Sequence, residues 1–215
     1  MGENDTMVSE VETVQKDRTA NPAPLGLCAF GITTILLNLH NVGLFALGSV
    51  VLAMGIFYGG LAQVVVGVME WKKGNGFGAL AFMSYGLFWL SLVGIVLLPS
   101  LGLASATQPA AMASYLGLWG FLTLFLFPIA LRSSGALGFV FGSLAILFFA
   151  LCVGEATGDG GIVTAAGIWG LIVGSSAVYT GLAELYNSTF GRPILPLWEP
   201  KQKTRAEPSE KALTK

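Results

Sequence analysis

Few side chains in this sequence can do chemistry, and nearly all of them interrupt long apolar stretches. One such stretch carries Thr33, Thr34, Asn38, His40 and Asn41, a second carries Tyr58 and Gln63, and a third Ser84, Tyr85 and Trp89. Hydroxyls, amides and an indole inside an apolar helix must face a protein interior, where they can hold a small polar solute by hydrogen bonds. Thr33, Asn38, Gln63, Tyr58 and Trp89 are therefore the candidate solute-binding set, although Tyr58 and Trp89 read equally as packing aromatics. His40, the only histidine, is a candidate proton carrier and equally a structural ring near a helix end. Glu70 and Glu184 close two apolar stretches. They read first as interfacial carboxylates beside Lys72, Lys73 or Arg192, with Glu70 kept as a second candidate for proton coupling.

What is missing narrows the chemistry. The apolar stretches contain no HExxH, no paired carboxylates and no P-loop, so the equipment of common membrane hydrolases and ATP-driven pumps is lacking and the chain is not expected to be an enzyme. Cys28 and Cys152 lie in apolar runs as small hydrophobes, so neither disulfide, metal site nor cofactor is expected. Nothing points to nucleic acid. The segment Asn21-Pro22-Ala23-Pro24-Leu25-Gly26-Leu27 opens the first stretch, with Asn21 suited to cap a helix and Pro22 to its first turn. A free helix start attracts carboxylates, but a plain cap is the reading that the physics favours.

The elements that must position these residues follow from composition. With 54% hydrophobic and 11% charged residues and a mean hydropathy of +0.73, the chain belongs in lipid. Only helices or closed barrels satisfy their backbone there, and the long unbroken runs exclude a barrel. Six spans are expected, at residues 25–45, 49–69, 77–98, 115–131, 137–156 and 162–186, giving an all-α polytopic membrane domain over 21–190 between tails at 1–20 and 191–215. Alternating spans put all 11 lysines and arginines on one side, so both termini are expected in the cytoplasm of an inner-membrane protein. Gly55, Gly59, Gly60 and Gly67, like Gly167, Gly170, Gly174 and Gly181, recur at spacings that let helices approach closely, within one bundle in preference to between protomers.

The blocks NPAPLGL (21–27), FGITTILLNLHN (30–41), AMGIFYGGLAQ (53–63), EWKKGN (70–75), SYGLFWL (84–90) and YLGLWG (115–120) together resemble the acetate uptake transporter family, from about Asn21 to Glu199. Within NPAPLGL, the family's signature, Asn21, Pro22, Pro24 and Gly26 mark the helix start. The resemblance implies six helices per protomer, a homo-hexamer and one pathway in each protomer. It also implies a constriction of an aromatic, a tyrosine and a leucine, which match Phe30, Tyr85 and Leu144. Such a ring would be a hydrophobic gate, with the Tyr85 hydroxyl free to donate to a carboxylate.

The expected function is passage of acetate, and of other small carboxylates such as succinate, with proton coupling. One alternative is a passive channel for acetate or another small solute; another, of a different class, is a membrane acetate sensor that signals through its tails. The expected partners are the solute, lipid and further copies of the chain.

Overall fold

The structure, a computed structural model, describes residues 19–200; the parts of the two expected tails at 1–18 and 201–215 lie outside them. Six helices are long and apolar enough to cross a membrane: α1 (Ala23–Asn41), α2 (Ser49–Lys72), α3 (Gly76–Ser100), α4 (Pro109–Ser133), α5 (Gly135–Thr157) and α6 (Gly160–Phe190). The described residues contain no strand.

Local chemistry explains where these helices start and stop. Asn75, Ser134 and Asp159 each accept a bond from an amide in the first turn of the helix that follows, satisfying donors that the ladder leaves free. Gly158 and Gly191 end α5 and α6 in the left-handed conformation that glycine adopts without strain. α4 begins six residues before the expected 115, because Pro109 suits a first turn and the Ala-Ala-Met-Ala run after it propagates a helix well. In α2, residues Gly55–Ala62 are wound as a π-helix, a feature with no signature in hydropathy.

Consecutive helices pack together within α1–α3 and within α4–α6, and α1 packs along α6 to close the bundle. The closest approach lies in that α1–α6 seam, where a side chain on Gly174 would meet the Gly31 carbonyl at 2.7 Å. The regularly spaced glycines thus pack helices against one another within the chain, as their spacing suggested. Between α3 and α4 the backbones touch little. Aromatic side chains fill the gap, with Phe88 against Trp119 at 5.1 Å and stacked on Tyr115 at 5.6 Å between ring centroids.

The bundle does not end with α6. Asn187 holds the following segment by accepting from the amides of Ile194 and Leu195 (2.7 and 2.9 Å) and donating to the Leu195 carbonyl. Residues 192–199 run back as a strap to the start of α5, where the Trp198 and Leu197 carbonyls accept from the Gly135 and Ala136 amides at 2.9 and 3.0 Å. The packed unit therefore includes the first part of the segment that was expected to be tail.

Candidate functional site

Two cavities lie on one axis, and all six helices or their caps contribute to each. The first, of about 230 Å³, is lined by residues from the ends of the helices near Asn21, Glu70, Asn75, Ser133, Leu137 and Glu184. The second, of about 130 Å³, is lined near the opposite ends by Asn41, Val51, Trp89, Met112, Glu155 and Val163 among others. No residue lines both. Phe30, Tyr85 and Leu144, at 5%, 4% and 3% exposure, are buried together on the wall of the first cavity and line no part of the second. Phe30 and Tyr85 are 5.7 Å apart between ring centroids, and Phe141 lies 5.9 Å from Tyr85 at a steep angle. Phe88, which lines the second cavity, packs edge-on against Phe148 and Trp89.

The hydrogen bonding of Tyr85 departs from the expectation. Its hydroxyl lies 2.9 Å from Thr123 Oγ1, while Thr123 donates its single proton to the Trp119 carbonyl at 2.7 Å. Tyr85 must then be the donor to Thr123. Its proton is engaged within the protein, and only its oxygen lone pairs face other partners. Thr123 was not anticipated. A hydroxyl in the middle of the apolar α4 stretch was the available signal, and it names no partner.

The wall near the mouth contains two matched clasps. Asn21 Oδ1 accepts from the Ala23 amide at 3.1 Å, which turns its Nδ2 outward to donate to Glu184 Oε2 at 3.2 Å. Asn75 Oδ1 accepts from the Gly78 amide at 3.0 Å, which likewise turns its Nδ2 to donate to Glu70 Oε2 at 2.8 Å. A backbone amide fixes each side chain's orientation, so Asn75 caps α3, Asn21 accepts from the first amide of α1 past Pro22, and each grips a carboxylate from the preceding or closing helix. The carboxylate that the α1 start attracts is thus the protein's own Glu184. Pro22 is the residue just before α1 and not in its first turn, while Pro24 and Gly26 are buried in that turn, Gly26 pressed against the Phe82 ring.

The reading of Glu70 as an interfacial partner of lysine is corrected. It is 2% exposed, bonded to Asn75, and its Oε1 has no partner. Its depth comes from Gly78, where any side chain would come within 3.0 Å of the Glu70 carboxyl carbon. Glu184 also lines the first cavity and is gripped by Asn21, not by Arg192.

The remaining candidates divide into two groups. Gln63 is fully buried on the first cavity's wall; its Nε2 donates to the Gly59 carbonyl of the π-helix, so its Oε1 is left without a partner. Thr33 and Trp89 both border Gly59, where a side chain would meet them at 2.8 and 2.9 Å, and Thr33 Oγ1 and Trp89 Nε1 are likewise buried without partners. These three residues meet at the π-helix between the cavities. Asn38, Tyr58 and His40 line neither cavity. The Asn38 amide is packed against Gly170 in the α1–α6 seam, donates to the Thr34 carbonyl and accepts from Asn41. His40 lies against the Phe45 carbonyl at 3.0 Å through Nδ1, which must carry the proton there and ties down the α1–α2 loop.

Comparisons with known proteins bear on this arrangement. Residues 4–198 match the GPR1/FUN34/yaaH family. The chain is 55% identical over 182 residues to the succinate-acetate/proton symporter SatP of Escherichia coli (strain K12), covering 85% of this chain and 97% of that one. It is 33% identical over 223 residues to acetate permease A of Emericella nidulans, covering 93% and 74% respectively. A solved structure described as the bacterial acetate channel SatP superposes with a TM-score of 0.83 at 55% identity, over 84% of this chain and 99% of that one.

Proposed function

Because the chain belongs to the GPR1/FUN34/yaaH family, we propose that it carries acetate across the membrane along the axis of its two cavities. The observation that supports this reading is the burial of Phe30, Tyr85 and Leu144 together on the wall of the first cavity, with no residue shared with the second, which we read as a closed layer on that axis. A water-filled hole of that kind would leak ions. A closed apolar layer with polar walls beyond it stops ions and water, and a small solute can cross it by displacing side chains briefly.

No lysine or arginine lines either cavity among the described residues. A bare carboxylate in the apolar layer would therefore face a desolvation cost of several kcal/mol, which supports passage together with a proton. Thr33, Gln63 and Trp89, with unpartnered polar atoms between the cavities, are the solute-binding residues of this proposal. Asn38 and His40 have structural roles in it, and Tyr58, which lines neither cavity, has no part in binding. Succinate, longer and doubly charged, is a poorer passenger for the same layer.

The distribution of Lys and Arg supports cytoplasmic termini, with the first cavity opening inward and Glu155 and Asp159 at the outer end. A hexamer with one pathway per protomer is part of the same proposal.

Radiolabelled acetate uptake into proteoliposomes, against protein-free vesicles, tests the reading. Saturable protein-dependent uptake is expected, with accumulation when an inward proton gradient is imposed. Simple equilibration would favour a channel, and no flux would leave the sensor reading standing.

A further inference from the structure

The buried polar atoms that the first cavity's wall leaves without partners are of one kind. Its side-chain amide nitrogens, on Asn21, Gln63 and Asn75, each give one of their two N–H groups to an acceptor of the protein, and the Tyr85 proton is held by Thr123. Its buried atoms left without partners are both acceptors, Glu70 Oε1 and Gln63 Oε1. Glu70 and Gln63 are seven residues apart on α2, about two turns along one helix face, so the two acceptors follow one another from mouth to constriction. A buried acceptor without a partner is costly, and a ligand that brings a hydrogen-bond donor relieves it. Acetate as an anion has only acceptors, and against Glu70 it would set two bare carboxylates together.

Resting on the transport reading above, we propose that Glu70 ties one proton to the passage of each carboxylate: the solute enters the first cavity only with a proton shared between its own oxygen and Glu70 Oε1. The balance is the same whichever oxygen nominally holds the proton. Acetic acid beside a Glu70 carboxylate and acetate beside a Glu70 carboxylic acid contain the same atoms and charge, and both are joined by one charge-assisted O–H···O bond. One proton is taken from water where the solute enters and returned to water where it leaves. Beyond Glu70 the O–H can pass to Gln63 Oε1.

The charged and titratable groups around Glu70 leave this role to it. Across the cavity stand Glu184 of α6, gripped by Asn21, and Tyr85 of α3, whose proton Thr123 accepts. Lys72 and Lys73 close its own helix, the Lys73 ammonium donating to the Thr19 carbonyl at 3.1 Å. Glu199 of the strap stands near Glu184 and not on the cavity wall. α1 presents no acidic or basic side chain to the cavity. His40, the other candidate for moving a proton, lines neither cavity and ties down a loop.

The experiment measures acetate entry, proton entry and voltage dependence together, in proteoliposomes containing the full chain, with protein-free vesicles as baseline. Wild type is expected to take up one proton per acetate with a rate indifferent to membrane voltage. Glu70→Gln places a permanent N–H donor where the proton was shared, so any acetate it carries should enter without a proton and respond to voltage. Glu70→Asp, which keeps a carboxyl, should retain coupling. Voltage-driven, proton-free flux in the wild type would overturn the proposal, as would undiminished coupling in Glu70→Gln. Two variants that both fold and both carry nothing would overturn it too, by making Glu70 a strut for Asn75. Absence of acetate flux in the wild type would instead remove the transport reading itself.

Discussion

Tyr85 illustrates how far a residue's type can mislead about its role. Its place in the SYG block picked it out as part of a constriction, and its hydroxyl suggested a donor for the solute. In the folded protein that hydroxyl donates to Thr123, 38 positions along the chain. Tyr85→Phe should therefore cost about 1 kcal/mol of stability, the worth of one buried hydrogen bond, and leave acetate flux largely intact. Tyr85→Ala removes a buried ring from the closed layer; a loss of about 3 kcal/mol or more is expected, together with leak of larger monocarboxylates. Unfolding in detergent and competition uptake with propionate and butyrate check both, and a Tyr85→Phe variant without flux would return the hydroxyl to the solute. The same gap between type and role separates Glu70 from His40. Both are ionisable residues near helix ends, yet Gly78 allows one to lie buried on the cavity wall while the other faces a loop carbonyl.

At the scale of elements, helix ends were legible because their signals are local. Asn75, Asp159, Gly158 and Gly191 act on amides and carbonyls within a turn of themselves. The glycine spacing was legible as close packing for the same reason, but which helix would be met was not. Gly174→Ala should lower stability by about 2 kcal/mol or more, since the new methyl would lie 2.7 Å from the Gly31 carbonyl and backbone cannot yield easily. Gly94→Ala is the control: nothing lies within 4 Å of that position, so its melting temperature should hold or rise, as helix propensity favours alanine. Equal effects at the two sites would mean that the α1–α6 seam is looser than described. The π-helix and the strap were beyond sequence reading because each depends on distant partners. Gly59 is bordered by α1 and α3, and the strap docks on α5.

For the whole molecule, the distribution of positive charge makes a prediction that neither hydropathy nor packing contains. On the orientation proposed above, a tag at either end should resist protease added to intact cells, while a cysteine placed at Asp159 should be labelled by an impermeant maleimide. Labelling at Lys73 in its place would invert the orientation and turn the first cavity outward. Membrane class, helix number and charge sidedness follow from the sequence by itself, because each is a sum over local composition that lipid reads in the same way whatever the fold. The family resemblance adds an expectation of which residues form a constriction. Only the tertiary structure decides which polar atoms are left without partners. Glu70, Gln63, Thr33 and Trp89 stand open while Asn38, Thr123 and Asn75 are satisfied, because hydrogen bonds pair atoms brought together from across the chain, and spacing along one helix does not say what stands opposite.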